Sequence, residues 1–216
     1  MTCISTKRFG MNSTTFKSTM RLPNTILPVF VLIFVLAGCS EKPAAIHDLS
    51  GKDYTLLNQD SSIVHFPGDY RGKTVVIGFI YTHCPDICPM TTHNIQLVKN
   101  ELDTQGAADV TYIDISFDPT RDTPSVLKRY ADLFGITTDN FTLLTGSTAE
   151  IRSLLKDVDM YAIPEDTTVT GNDTAYYFIH TDRISIMDPE GKIRYEIKGS
   201  TAKKEDLIND ITSIRN

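Results

Sequence analysis

Two kinds of hydrophobic pattern run along this chain, one typical of strands and the other typical of helices. Residues 73–81 form a nearly continuous apolar run of strand length, which is typical of a central strand that is covered on both faces. Further short strands are predicted where apolar or alternating runs are bounded by turn-forming residues: 53–57, 62–65, 110–117, 141–144, 176–180, 184–188 and 192–197.

Apolar residues at helical spacing predict helices between these strands. They are expected at 89–102, 123–134, 147–158 and from 201 onward. Thr123 and Pro124 supply an N-cap and a proline at the first helical position, which together mark the start of the second helix. Ser147 and Glu150 have the spacing of a capping box and mark the start of the third.

The order of these elements predicts the fold class. Three strand–helix units followed by a hairpin and a last helix indicate an α/β protein, with a thioredoxin-like mixed sheet, helices on both faces and an additional N-terminal β-hairpin. One domain is expected to fill residues 45–216. Open α/β sheets place their chemistry just beyond the carboxyl ends of their strands. The segment that leaves strand 73–81 carries two cysteines, so the functional site is expected there.

The N-terminal segment differs in charge from the rest of the chain. Residues 1–38 contain four basic and no acidic residues, so the formal net charge of −6 places −10 on the remainder. Residues 26–38 are apolar but too few for a membrane-spanning helix, which needs roughly 20 residues. They have the proportions of a signal peptide's apolar region rather than those of a buried helix.

Leu-Ala-Gly-Cys at residues 36–39 resembles the lipobox of bacterial lipoproteins. The resemblance implies that residues 1–38 are removed as a signal peptide, that Cys39 carries lipid and that residues 39–44 are a linker. The protein is then expected to be lipid-anchored to a bacterial membrane on its extracytoplasmic, periplasmic face. Cys3 would leave with the signal peptide.

Composition and charge exclude some classes of protein. The chain is 41% hydrophobic and 22% charged, as globular proteins are, and its pI of about 5.3 argues against a nucleic-acid partner. Four cysteines are too few for a disulfide-stapled miniprotein. Because the mature surface is acidic, attachment to a membrane is expected to come from the lipid alone.

Cys84 and Cys88 are separated by three residues, not by the two of a thioredoxin redox motif. Pro89 is expected to be the first helical residue, so that both sulfurs project from a loop at a helix N-terminus, where thiolates are stabilised. Thiolates attack disulfides and bind soft metals. The pair is therefore compatible with a structural disulfide, with a catalytic dithiol or with a metal site.

A metal site needs at least one more ligand, and five histidines are candidates: His47, His65, His83, His93 and His180. His180 ends the strand before the last hairpin, and its position in the topology makes it the best candidate. Two thiolates and one imidazole form a soft set that suits Cu(I) and can hold Cu(II), whereas structural zinc normally has four protein ligands.

Two other features near the cysteines have simpler explanations. Met90 could offer a thioether, but a methionine early in a helix is expected to pack in the core. Asp118, Arg121 and Asp122 follow the strand at 110–117, and we expect a local ion pair at a strand-to-helix turn rather than catalytic residues.

Several blocks of the sequence resemble the SCO/SenC copper proteins: residues 72–89, 115–124, 143–146, 178–181 and 186–191. The resemblance implies that Cys84, Cys88 and His180 bind copper, one ion per domain. It also implies a metallochaperone that delivers copper to the binuclear copper site of cytochrome c oxidase, with the copper-bearing oxidase subunit as partner and other copper chaperones or thiol-disulfide proteins as further partners.

One position departs from the family pattern. The residue before the ligand histidine is usually aspartate in that family, and here it is Ile179. The missing carboxylate is expected to affect partner docking or the tuning of the site without removing a ligand.

Two alternatives use the same cysteine pair. Cys84 and Cys88 could be the catalytic residues of an extracytoplasmic thiol-disulfide reductase, or the sensing residues of a redox or copper sensor. Copper stoichiometry of the purified protein separates delivery from reduction.

The lipobox predicts the start of the mature protein. Intact-mass analysis of the protein from its native host should show a chain that begins at Cys39 and carries a lipid on that residue. A mass that includes residues before Cys39, or an unmodified Cys39, would contradict this prediction.

Overall fold

The computed structural model describes residues 42–137, 139–170 and 173–215. The strands are β1 His47–Asp48, β2 Tyr54–Asn58, β3 Ile63–Phe66, β4 Thr74–Ile80, β5 Val110–Ser116, β6 Phe141–Gly146, β7 Ala162–Thr170, β8 Asp173–His180, β9 Ile184–Met187 and β10 Lys192–Ile197. The helices are α1 Ile87–Thr104, α2 Pro124–Phe134, α3 Thr148–Asp157 and α4 Lys204–Ile214, with 3₁₀ turns at Gly68–Tyr70 and Gly199–Thr201.

Eight of the strands form one mixed sheet in the order β1-β10-β9-β4-β5-β6-β2-β3. The three central strands β4, β5 and β6 are parallel, and the remaining pairs are antiparallel. Every residue of β4 is buried, as the continuous apolar run predicted, and every residue of β5, which was predicted as an alternating strand, is buried as well. The thioredoxin-like α/β fold class and the additional N-terminal hairpin, β2–β3, are confirmed.

The predicted signal peptide and Cys39 lie outside the described residues. Within the described ranges, no helix combines the length and the apolar character needed to cross a membrane.

Helix α1 begins earlier than the sequence predicted. It starts at Ile87 instead of Pro89, so Cys88 lies in the first helical turn and not in a loop. Pro89 is tolerated at the third helical position because the first four N–H groups of a helix have no partner within the helix. The prediction that both sulfurs project from a loop is therefore wrong for Cys88.

The capping signals were more reliable. Pro124 is the first residue of α2, and the backbone N–H of Glu150 donates to Ser147 Oγ over 3.1 Å at the start of α3. The last helix begins at Lys204, three residues later than predicted, because residues 199–201 form a 3₁₀ turn first.

A separate two-stranded sheet, β7–β8, was only half predicted. Strand β7 was missed because Pro164 and the acidic residues after it are depleted in strands, yet a strand outside the main sheet tolerates a proline. Strand β8 carries His180, and its register pairs Ala162 with His180 and Ile163 with Ile179. Since successive side chains point to opposite faces of a strand, Phe178 and His180 point inward while Ile179 is 57% exposed.

A carboxyl group lies in the middle of the main sheet. Asp114 of β5 is fully buried, and one of its oxygens accepts a hydrogen bond from Thr92 Oγ of α1 over 2.7 Å. The other oxygen has no hydrogen-bond partner among the described residues and lies against Gly78 of β4, which offers no side chain in its way. Burial raises the pKa of Asp114 to about 7.

This raised pKa predicts a pH-dependent stability. Between the unfolded value of 3.8 and the folded value of about 7, the folded state binds the extra proton, so stability falls as pH rises through this window. Relative to Asp114→Asn, which does not ionise, the free energy of unfolding of the metal-free protein should fall by about 3 kcal/mol from pH 4 to pH 7. The prediction would be contradicted if denaturant unfolding showed that the difference in unfolding free energy between the unaltered protein and Asp114→Asn does not change over this pH range.

Candidate metal centre

Cys84, Cys88 and His180 converge at the carboxyl-terminal end of β4. The two sulfurs and one imidazole nitrogen all lie within 4.8 Å of one another, and Cys88 Sγ is 3.9 Å from His180 Nε2. Over the described residues this is the only cluster of three or more histidine, cysteine or acidic groups spaced for a metal ion. The structure thus brings together the three residues that the sequence singled out.

The cysteine loop is held by short backbone contacts. The N–H of Cys84 donates to the carbonyl of Tyr81 over 3.2 Å, which turns the chain directly after β4. The N–H of Cys88, in the first turn of α1, points back to Cys84 Sγ over 3.4 Å. The unpaired N–H groups and the dipole of the helix therefore face the sulfur of Cys84.

The two cysteines have unequal acidity. The hydrogen bond from the Cys88 thiol is the main cause that lowers the pKa of Cys84 well below its usual range; burial opposes it, and His180 and backbone N–H groups add to it. The pKa of Cys88 is raised, because its thiol donates that hydrogen bond and because it is buried. The metal-free pair therefore consists of a thiolate at Cys84 and a thiol at Cys88 at neutral pH.

The histidine is oriented by its own strand end. His180 Nδ1 donates to the carbonyl of Thr181 over 3.0 Å, which leaves Nε2 facing the sulfurs. The ring centroids of Phe117 and Tyr81 lie 4.8 Å and 5.8 Å from that of His180. Burial by itself lowers the pKa of His180, but the hydrogen bonds with Cys84 and with the Thr181 carbonyl outweigh it and the net shift is upward.

The other histidines do not reach the cysteines. His47 pairs with Glu196 over 3.2 Å and His65 with Asp53 over 3.3 Å, while His83 and His93 are exposed. Choosing His180 by its position in the topology thus agrees with the geometry.

Two neighbouring residues differ from what the sequence suggested. Met90 is 46% exposed, so the prediction that it packs in the core is wrong: at the first turn of α1 its side chain faces solvent. Asp118 and Arg121 do form the expected local ion pair, and Arg121 additionally contacts Tyr176 of β8.

Sequence reasoning missed the aromatic wall of the site. Tyr81, Phe117 and Phe178 form a cluster with ring centroids 5.2 Å apart for each pair, and Tyr81 and Phe117 lie against the imidazole. Alternation in β8 was the available signal, since it places Phe178 and His180 on one face.

The donor set fits a soft metal ion. Two sulfurs and one imidazole nitrogen are ligands that suit Cu(I), and no fourth histidine, cysteine or acidic ligand joins them in the described part of the chain. A structural zinc site would require that fourth ligand. Both cysteines are free, so the same pair also retains the chemistry of a dithiol.

A comparison with family models matches residues 43–216 to the SCO1/SenC family. Among curated proteins, "Protein sco1" of Schizosaccharomyces pombe is 35% identical over 156 residues, which is 67% of this chain and 53% of the relative. The chain thus spans about half the length of that relative.

Solved structures show the same likeness. The copper-bound ScoI of Bradyrhizobium japonicum is 30% identical, with a TM-score of 0.63 over 75% of this chain and 97% of that one. A structure described as a SCO1/SenC family lipoprotein, from Bacillus anthracis, is 28% identical, with a TM-score of 0.67 over 82% and 99%.

The unequal cysteines predict a distinctive titration. At about pH 6, well below the ordinary cysteine pKa of about 8.5, the ultraviolet absorbance of the reduced, metal-free protein should show one thiolate that Cys84→Ser removes. Cys88→Ala should raise the pKa of Cys84 because it deletes the main hydrogen-bond donor. The assignment would be wrong if two thiolates appeared together near pH 8.5, or if the low-pH thiolate survived in Cys84→Ser.

Proposed function

The chain belongs to the SCO1/SenC family, and we propose that it binds one copper ion through Cys84, Cys88 and His180 and delivers it to the binuclear copper site of cytochrome c oxidase during assembly. Copper delivery to this oxidase is the role of the family. The observation that carries the proposal is the convergence of two sulfurs and Nε2 within 4.8 Å.

The three ligand residues contribute to copper binding in different ways. Cys84 offers a thiolate that exists before the metal arrives, whereas Cys88 gives up its proton when it becomes a ligand. His180 offers Nε2 because the Thr181 carbonyl occupies Nδ1. The aromatic rings around the imidazole keep bulk water from its face.

Three ligands also suit release. A three-coordinate copper ion has room for a ligand from a partner protein, so the ion can be exchanged one bond at a time. His180 is half-buried and ends a strand that, in the part of the chain that the structure describes, pairs with β7 and not with the main sheet, which favours His180 as the ligand that a partner replaces first.

The partner and the anchor follow from the same role. We infer that the copper-bearing oxidase subunit is the main partner and that other copper chaperones or thiol-disulfide proteins supply or reduce the site. Cys39 would tether the protein by its lipid to the extracytoplasmic face of a bacterial membrane; the relative from Bacillus anthracis is itself described as a lipoprotein.

Ile179 bears on this partner contact. Its side chain is 57% exposed and points away from the imidazole of His180, which lies on the opposite face of β8. The absence of the family's aspartate therefore concerns the docking surface more than the ligand set.

A second candidate, thiol-disulfide reduction, is favoured by one observation. Cys84 carries a thiolate and a free thiol lies beside it at Cys88, as an attacking and a resolving cysteine would. This activity would not need His180 as a ligand.

The copper site is tested by metal analysis of the purified protein. We expect one copper per chain and an intense visible charge-transfer band in the Cu(II) form, because thiolates bind the ion. Cys84→Ser, Cys88→Ser and His180→Ala should each weaken retention by more than about 100-fold, above what loss of a hydrogen-bond partner of a ligand costs. His93→Ala, which alters an exposed histidine of α1, is the matched control and should bind as the unaltered protein does.

An experiment in cells distinguishes copper delivery from thiol-disulfide reduction. At limiting copper, His180→Ala cells should assemble an oxidase deficient in copper, and added copper salts should partly relieve the defect. Fully metallated oxidase in His180→Ala cells, with a deficient oxidase in Cys84→Ser cells, would refute delivery and support the reductase.

A further inference from the structure

We propose that the turn at residues 118–122, between β5 and α2, is a positioning element that sets the separation between the cysteine pair and His180. Its Asp122 holds the cysteine loop, and its Asp118 and Arg121 hold strand β8. The consequence for copper rests on the proposed function, whereas the positioning itself concerns the protein alone.

The cysteine side of the turn depends on a fully buried carboxylate. Asp122 accepts hydrogen bonds from the backbone N–H of Thr82 over 3.0 Å and from Thr82 Oγ over 2.5 Å. It also accepts from Ser116 Oγ over 2.6 Å, at the end of the central strand β5. Thr82 lies two residues before Cys84, so the start of the cysteine loop is tied to the sheet through Asp122.

The histidine side depends on Arg121 and Asp118. Arg121 Nη1 donates to the backbone carbonyl of Tyr176 over 3.0 Å, and its guanidinium lies 3.6 Å from the centroid of the Tyr176 ring. The Tyr176 hydroxyl donates to Asp118 Oδ1 over 2.7 Å, and Asp118 is also paired with Arg121. Two side chains thus make three contacts with one residue of β8, at its backbone, its ring and its hydroxyl.

These contacts matter because of where Tyr176 lies. It is four residues before His180 on the same face of β8, and within the described residues the two-stranded sheet to which β8 belongs has no ladder to the main sheet. An open cleft of about 430 Å³ borders these contacts, and its lining includes Pro119, Ile151, Arg152 and Pro164. The position of His180 therefore depends on side-chain contacts, among them the aromatic rings and the 118–122 turn.

A purely local role does not account for this arrangement. The turn itself is closed by backbone bonds, from the N–H groups of Arg121 and Asp122 to the carbonyl of Asp118 over 3.1 Å and 2.9 Å. Besides their local contacts, the side chains of Asp122 and Arg121 reach beyond the turn, to a residue 40 positions before Asp122 and to one 55 positions after Arg121. Those two contacts, together with the aromatic rings, link the two ligand-bearing segments.

The test compares variants of the contacts to β8 with variants of the contacts to the cysteine loop, in the purified full chain loaded with copper(II). Arg121→Met and Tyr176→Phe should reduce or abolish the nitrogen hyperfine coupling of the imidazole in the electron paramagnetic resonance spectrum, as His180→Ala does. The thiolate charge-transfer band should remain. Arg121→Met should weaken copper binding by about 10- to 100-fold, the range found when a partner of a metal ligand is removed, and Tyr176→Phe should weaken it less.

Variants of the contacts to the cysteine loop should show the opposite pattern. Asp122→Asn and Thr82→Val loosen the cysteine loop, so we expect the charge-transfer band to shift while the imidazole coupling remains. Arg129→Met is the matched control, since it removes an arginine from an exposed position of α2 and should leave both signals and the copper affinity unchanged.

The proposal is overturned if Arg121→Met and Tyr176→Phe keep unaltered imidazole coupling and affinity. It is also overturned if Tyr176→Phe weakens the imidazole and thiolate signals together, since that would indicate general loosening. Tyr176→Phe changes one hydroxyl and no charge, so it decides the matter if Arg121→Met does not fold.

A metal-free measurement keeps this result separate from the proposed function. Nuclear Overhauser contacts between the rings of His180 and Phe117 should be present in the unaltered protein and weakened in Tyr176→Phe. A chain that takes up no copper would refute the proposed function, while these contacts would still decide whether the turn positions His180. Unchanged contacts in Tyr176→Phe would refute the positioning role.

Discussion

A thiolate buried beside a second cysteine and a histidine is the constraint on which the rest of this structure depends. Removing a charge from water is costly unless hydrogen bonds and opposite charge replace the lost solvation. Here the Cys88 thiol, the His180 imidazole and the N–H groups of a helix end supply that replacement around Cys84. Cys88 and His180 are 92 positions apart in the chain, so the fold has to bring distant segments to one point.

The fold does this with two elements of different character. The cysteines follow a central strand that is buried along its whole length, and the first turn of α1 holds one of them, so their position is set by the core. His180 lies at the end of a small sheet of two strands outside the main one. A rigid donor pair is thus combined with a third donor that is attached through side chains, an arrangement suited to holding an ion and to passing it on.

Much of this was predictable from the sequence, and the exceptions have physical causes. The central strand, the capping box at Ser147 and the choice of His180 rest on strong local signals of apolar runs, caps and chain order. The start of α1 was misplaced because Pro89 restricts the residue before it, yet a proline is acceptable anywhere in a first helical turn. Strand β7 was missed because pairing with β8 overrides its weak propensity. The contacts of Asp122 and Arg121 connect residues far apart in sequence, and no local pattern encodes such pairs.

Because side chains alternate between the two faces of β8, the site depends on whether an odd or an even number of residues separates Tyr176 from His180. Tyr176, Phe178 and His180 share the inner face, while Tyr177 and Ile179 share the outer one. The number of residues between Tyr176 and His180 therefore matters to the site independently of which residues they are. Inserting or deleting a single residue there would turn the imidazole to solvent and an isoleucine towards the sulfurs, whereas a change of two would preserve the facing and alter only the reach.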